Sequence, residues 1–352
     1  MSTPKPDGAP NAASPKPRRT SPTLEDVAAL SGVSRSTVSR AINGGAKVSP
    51  ATQAAIDKAI SDLGFSPNRA ARSLATQRAD SIALVIPEPD GRVLVDPFFA
   101  MTLNGITESL KNTEVQLVLL IARQGEKAGQ TLRYLRGGHV DGAIVVSHHQ
   151  SDELETALAG SSMPSVFIGR PWELSEDLLY VDTDNVAGGR LAAGHLAKAG
   201  RRRIATVAGP ADMSPARDRT EGFRQALAAA GLEPAGVEHG NFTTAGGAAA
   251  AVRLLDADPG IDGIFAASDL MALGVLSVLG ARGLKVPEDV SLVGYDNHGI
   301  AATSTPPLTT VVNPMIEMAQ RAGGMLLAEI ENPGSHRAPV IYPPELVIRR
   351  SA

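Results

Sequence analysis

Thr23-Leu24-Glu25-Asp26-Val27-Ala28-Ala29-Leu30-Ser31-Gly32-Val33-Ser34-Arg35-Ser36-Thr37-Val38-Ser39-Arg40-Ala41-Ile42 decides how the amino-terminal end of the chain folds. Thr23 or Ser21 can cap a helix that begins at Leu24, where Glu25 and Asp26 favour its positive end. Val27, Ala28 and Leu30 are expected on its inner face. Ser31-Gly32-Val33 reads as a tight turn, with Gly32 free to take a positive φ. Ser34 then caps a second helix, Arg35–Ile42. It turns Val38 and Ile42 inward and Arg35, Ser36, Ser39 and Arg40 outward. Asn43-Gly44-Gly45 ends it. Ser49 and Pro50 start a third helix striped by Ile56, Ile60 and Leu63. A short glycine turn before a helix bearing Arg, Ser and Thr is what insertion into a DNA major groove requires. The spacing alone also fits a plain three-helix bundle.

Charge separates the two ends of the chain. The 352 residues carry a net charge of −4, yet residues 1–80 hold 11 Lys/Arg against 6 Asp/Glu, and residues 81–352 hold 22 against 31. A basic head on an acidic body points to a polyanionic partner for the head only. Residues 1–22 are Pro-rich with Lys16, Arg18 and Arg19, and read as a disordered basic arm.

From Ser81 the texture changes. Ser81–Ile86 is a short apolar run stopped by Pro87, a buried strand. Similar runs follow at Val115–Ile121, Gly142–Val146, Ser165–Ile168, Arg203–Ala208, Gly263–Ala266 and Ser291–Val293. Helical stretches lie between them, such as Phe98–Leu110, Gly125–Arg136, Asn185–Ala199, Ala216–Ala230, Ala245–Leu255 and Asp269–Ala281. Alternating strand and helix predicts an α/β body with parallel sheets and right-handed crossovers. Roughly 270 residues of it exceed one ordinary domain, so two lobes with a cleft between them are expected. The division is therefore an arm (1–22), an all-α helix-turn-helix head (23–66), a short helix and linker (67–80) and a two-lobed body (81–352). Pro67-Asn68-Arg69-Ala70-Ala71-Arg72-Ser73-Leu74 in the linker makes a helix too short to be stable alone, so a partner must dock on it.

These motifs together resemble the lactose-repressor/galactose-repressor family of bacterial transcription regulators. Thr23–Ala28 and Gly32–Asn43 match its DNA-binding head, and Pro67–Leu74 its hinge helix. In the body, Phe98-Phe99, Val140-Asp141-Gly142, Gly188-Gly189-Arg190, Arg219-Thr220-Glu221-Gly222-Phe223, Ser268–Gly274, Val290–Asp296 and Pro307–Val311 fall in the family's order. The resemblance covers about residues 21–350. It implies a periplasmic-binding-protein-like body that takes a small-molecule effector between its lobes, and an allosteric dimer on a near-palindromic operator. It further implies that Arg35, Ser36 and Arg40 read bases, and that an Arg can pair bidentately with guanine. Thr23, Ser34, Thr37, Asn43, Ser49 and Thr52 match positions that hold phosphates, although several also suit helix caps. Asn68 and Arg72 accompany Leu74, which matches an apolar minor-groove wedge. Phe98, Phe99, Arg219, Phe242 and Asp269 match effector positions. Arg and Asp suit hydroxyls and an aromatic face suits a sugar ring, so a carbohydrate is the expected effector. Asp182 and Asp184 can line the cleft or cap the helix from Asn185. Trp172 can be a lid or a surface residue.

Other functions find little support. No apolar run reaches the roughly 18 residues of a spanning helix, and Met1-Ser2-Thr3-Pro4-Lys5 lacks the apolar core of an export signal, so a cytoplasmic location is expected. There is no cysteine, which removes thiol catalysis and Cys-based zinc sites. No phosphate loop, nucleophile elbow or zinc-helix motif occurs. His148-His149 would point to opposite faces of a strand. Neither enzyme activity nor a cofactor or metal is expected. The chain ends without a heptad extension, which favours a dimer over a tetramer.

Overall fold

The computed structural model describes residues 22–42, 48–65, 78–122, 129–150, 153–172, 178–335 and 338–352. The chain divides into two compact units, Met1–Gln77 and Arg78–Ala352. Residues 1–21 of the arm, Asn43, and the residues Asn68, Arg72 and Leu74 lie outside the described residues.

In the first unit, α1 (Leu24–Ser31), α2 (Arg35–Ile42) and α3 (Pro50–Leu63) close on a core of Val27, Ala28, Val38, Ile56, Ala59 and Phe65. Thr23 caps α1 in a reciprocal box with Asp26, and Gly32 takes φ 69° at its end. Fully burying each of Val27, Val38 and Ile56 stabilises so small a bundle by roughly 1.5–3 kcal/mol. Leu30 departs from expectation, for it is 53% exposed. The inward stripe of α1 runs through Leu24, Val27, Ala28 and Ser31, at i, i+3, i+4 and i+7, and Leu30 falls off that face.

Among the described residues the second unit is two six-stranded sheets, each covered by helices. The first lobe has strand order β11-β5-β4-β3-β1-β2, where β1 is Ser81–Ile86, β2 Gln116–Ile121, β3 Gly142–Val146, β4 Ser165–Ile168, β5 Leu179–Thr183 and β11 Val340–Tyr342. All its pairings are parallel. Alternate residues of β1 serve opposite faces. Ile82, Leu84 and Ile86 pack under the helices Pro97–Leu110 and Met315–Glu331, whereas Ala83 and Val85 face Leu135, Leu154 and Leu158. The second lobe orders β12-β10-β9-β8-β6-β7, with β6 Ile204–Ala208, β7 Gly236–His239, β8 Gly263–Ala266, β9 Ser291–Asp296, β10 Thr309–Val312 and β12 Leu346–Val347. Among its described strands only β12 runs antiparallel to its neighbour.

Among the described residues the chain passes between the lobes at Thr183–Asn185, at Val312–Met315 and between β11 and β12. Reciprocal glycines clamp the helix Asn185–Lys198 to the helix Ser214–Ala229. A Cβ on Gly189 would lie 2.1 Å from the Arg219 carbonyl oxygen, and one on Gly222 would lie 1.9 Å from that of Val186. That contact fixes where Arg219 emerges.

Candidate effector cleft and DNA-reading helix

In both sheets the strand order reverses beside the first strand of the lobe, between β1 and β3 and between β6 and β8. Loops at the carboxyl ends of strands flanking such a switch point build ligand sites in open α/β sheets. Here the two switch points face each other. Arg92, Asp96 and Phe98 follow β1, Ser147 and His148 follow β3, Met213 and Pro215 follow β6, and Ser268 and Leu270 follow β8. The crossing segments add Asp182, Thr183, Asn185, Asn313 and Met315. Together with Arg219, Phe242 and Asp296 they line one cleft between the two lobes.

Its polar groups are held in fixed directions. Arg219 is buried; Nε donates to Asn185 Oδ1 at 2.8 Å, one terminal nitrogen donates to the Ala267 carbonyl at 2.7 Å, and the same nitrogen stands 3.9 Å from Asp296 Oδ1. Its guanidinium lies 3.6 Å from the ring centre of Tyr295. Asp182 accepts from the backbone N–H of Arg170 at 3.1 Å and from Asn185 Nδ2 at 3.1 Å. Burial pushes its carboxyl up to about 6, against the bonds from the backbone N–H groups of Thr183 and Arg170. Burial also raises Asp96, with Asp296 adding to the shift. Asn313 Nδ2 donates to Asp296 at 3.2 Å, while Asn313 Oδ1 is buried without a hydrogen-bond partner among the described residues. Three non-glycine residues in left-handed backbone conformations line the cleft: Ser147 (φ 59°), Phe242 (φ 59°) and Asp296 (φ 105°). Such conformations cost about 1–3 kcal/mol each and gather where side chains must be aimed.

The expected effector residues separate here. Phe98, Arg219 and Phe242 line the cleft. Phe99 does not; it is fully buried in the first-lobe core, edge-on to Phe98 at 5.2 Å. Asp269 does not either. Its carboxylate is fully buried behind the wall, accepting from Thr310 Oγ1 at 2.7 Å and from the His298 backbone N–H at 2.8 Å. It occupies the first position of the helix Asp269–Ala281, so its side chain turns back onto the ends of β9 and β10. Asp184 caps the helix from Asn185, whereas Asp182 lines the cleft. Trp172 is half-buried under the Arg217 guanidinium, 4.5 Å from its ring centre. Arg92, Asp96, Asn185, Asp296 and Asn313 were not singled out as effector residues by sequence reasoning. The αL backbone of Asp296, the isolated Asn313 and the single helical turn that carries Arg92 leave no local signature in the sequence.

Several contacts already bridge the lobes. His149 Nδ1 is 2.9 Å from Asp212 Oδ2, and the Gln150 N–H donates to the Asp212 carbonyl at 2.8 Å. Arg170 Nε donates to Asp218 Oδ2 at 3.1 Å, and Ser214 Oγ donates to the Arg170 carbonyl. His148 and His149 turn to different partners, Glu155 and Glu88.

On the head, Thr23, Ser34, Arg35, Ser36, Arg40 and Ser49 are exposed, and Thr37 and Thr52 half-buried. Ser34 and Ser49 accept from the N–H groups of Thr37 and Thr52, each at 3.2 Å, so both act as caps. Arg35 is paired with Glu25 at 2.7 Å. Arg40 is exposed and bends back weakly to Ser36 O at 3.3 Å and to Thr37 Oγ1 at 3.5 Å.

Comparison with known proteins accords with both halves. The family model for bacterial regulatory proteins of the lacI family matches residues 23–68, and that for a periplasmic binding protein-like domain matches 193–352. The HTH-type transcriptional regulator CelR of Thermobifida fusca is 44% identical over 95% of this chain and 99% of its own. A solved CelR–cellobiose complex superposes with TM-score 0.75 at 42% identity, covering 94% of this chain and 100% of the other. The lac repressor dimer bound to operator and the anti-inducer ONPF superposes with TM-score 0.82 at 25% identity over 94% and 99%. No described helix is long and apolar enough to cross a membrane. With a helix-turn-helix head, two facing switch points and relatives matched along nearly their whole length, the chain belongs to the LacI family of bacterial regulatory proteins and is a DNA-binding transcriptional regulator, not an enzyme.

Proposed function

We propose that this regulator is a cytoplasmic homodimer whose grip on a near-palindromic operator is set by a neutral disaccharide of the cellobiose kind, bound between the lobes. The lining of the cleft carries this reading. Two arginines, three carboxylates, two amides and the Phe242 ring offer hydroxyl-binding groups around one apolar face. Asp96, Asp182 and Asp296 outnumber Arg92 and Arg219, so a phosphorylated sugar would meet net repulsion. The CelR–cellobiose relative supports the same class of ligand.

Phe98, Arg219 and Phe242 are assigned to effector contact. Phe99 and Asp269 act from behind, holding Phe98 and the loop at His298. In the head, Arg35, Ser36 and Arg40 read bases. Thr23, Ser34, Thr37, Asn43, Ser49 and Thr52 hold phosphates, and Asn68, Arg72 and Leu74 serve the paired hinge helices. Effector binding shifts the lobes by its difference in affinity between two arrangements, commonly worth about 1–3 kcal/mol. Isothermal titration with cellobiose, glucose, ribose and glucose 6-phosphate tests the reading. Cellobiose is expected to bind and the phosphate ester to fail; tight binding of the ester would overturn it.

A further inference from the structure

We propose that Arg92 is a specificity-determining effector ligand that also ties a bound sugar to the bridge between the lobes; this rests on the sugar-binding reading above. Arg92 lies on the single-turn helix Asp90–Val93 after β1, with its side chain 12% exposed in the cleft wall. One terminal nitrogen donates to Glu88. Its Nε is buried, stands 3.7 Å from Asp96 Oδ2, and has no hydrogen-bond partner among the described residues. The Phe99 and Phe242 rings pack against the guanidinium, with centres at 5.6 and 5.4 Å. The fork is therefore clamped on one edge and left without a hydrogen-bond partner at Nε, above the ring assigned to stack against the sugar. A sugar hydroxyl or ring oxygen is the acceptor that completes it, and Asn313 Oδ1 supplies a matching unpartnered acceptor for a hydroxyl proton.

The clamped edge leads to the other lobe. Glu88 also accepts from Ser147 Oγ at 2.7 Å and lies 3.2 Å from His149 Nε2. The opposite nitrogen of His149 is 2.9 Å from Asp212 in the second lobe. Burial opposes charge on His149, but Glu88 and Asp212 outweigh it and hold its pKa above the usual value. Arg92, Glu88, His149 and Asp212 thus form an alternating run of charges from the sugar to the lobe junction. A ligand that orders Arg92 orders this run, and so favours the arrangement in which the junction is made.

The test titrates full-length protein with cellobiose and its monodeoxy analogues, in wild type, Arg92→Lys and Arg92→Gln, with melting temperatures measured alongside. Lysine keeps the charge toward Glu88 but lacks Nε. Arg92→Lys is expected to weaken cellobiose binding at least tenfold with an unchanged melting temperature. One deoxy analogue is expected to bind wild type at least tenfold worse than cellobiose, yet to bind Arg92→Lys no worse than cellobiose does. Asp212→Asn is expected to weaken cellobiose binding in wild type, with that factor at least halved in Arg92→Lys. Both variants binding cellobiose within twofold of wild type would overturn the assignment, and a fully independent Asp212 effect would overturn the link to the junction. Wild type that binds no cellobiose would overturn the sugar reading and the assignment together.

Discussion

Asp269 offers the sharpest test of how the cleft is held. Its carboxyl is fully buried, and two donors depend on it: Thr310 Oγ1 at 2.7 Å and the His298 N–H at 2.8 Å. Burial first, and the Asp296 charge second, push its pKa up to about 8. At neutral pH the folded protein therefore holds it largely protonated, whereas the unfolded chain, near about 3.9, holds it ionised. The folded state binds the extra proton, so stability from this group is full below the unfolded value and is lost as pH rises through the folded value. Between pH 5 and 8 the slope is on the order of 1 kcal/mol per pH unit, flattening above that.

Asp269→Asn removes the titration but preserves the geometry, since Oδ1 accepts from His298 and Nδ2 donates to Thr310. Asp269→Ala leaves two buried polar groups unpaired, at about 1–3 kcal/mol each. Urea unfolding followed by far-ultraviolet circular dichroism at pH 5, 6, 7 and 8.5 reads both effects. Wild type is expected to lose stability relative to Asp269→Asn as pH rises, and Asp269→Ala to fall about 2–6 kcal/mol below Asp269→Asn at pH 6. Parallel pH profiles for wild type and Asp269→Asn would refute the reasoning. So would an alanine variant as stable as the asparagine one.

Further outcomes follow from other sites. Arg40→Ala is expected to weaken operator binding by about 1–3 kcal/mol and to narrow the gap to random duplex in an anisotropy titration; equal losses on both duplexes would deny a base-reading role. Gly209→Ala places a Cβ 2.2 Å from Phe242 Cζ. The ring must move, so cellobiose affinity is expected to fall about tenfold, and calorimetry showing unchanged affinity would remove Phe242 from the binding surface. Because the pKa of His149 is raised, its bridge to Asp212 is full below about 6.5 and is lost as pH climbs through the folded value. Cellobiose affinity is expected to decline across that rise in wild type and to stay flatter in His149→Gln, as calorimetry at several pH values would show.

The long apolar strands were legible in advance because burial on both faces writes a continuous hydrophobic run. β1 and β3 are the clearest, with every residue buried. The edge strands β7, β11 and β12 are two to four residues long and half-exposed, so nothing in their composition separates them from loop. Leu30 is apolar by type, yet the helical angle turns it outward. In the cleft, Phe242 stands outside the matched motifs and rested on the resemblance alone, whereas Arg219 could be placed because its motif neighbours fix it. Asp269 shared that advantage, yet a motif does not say whether a side chain at the first helical position turns to the cleft or to the adjacent strand ends. Asp182 and Asp184 sit two apart around the same helix start, and only the backbone path reveals which one caps. Arg92 had no signature at all, since a single helical turn has no periodicity to read.

The central claim joins sequence-specific duplex binding to a sugar between the lobes. Sequencing the duplexes that full-length protein retains from a randomised pool, with and without cellobiose, tests both parts at once. A near-palindromic sequence is expected to be enriched, and its retention to change about tenfold or more when cellobiose is added, the size of a coupling free energy near 1.4 kcal/mol. Retention of all duplexes alike under both conditions would contradict it.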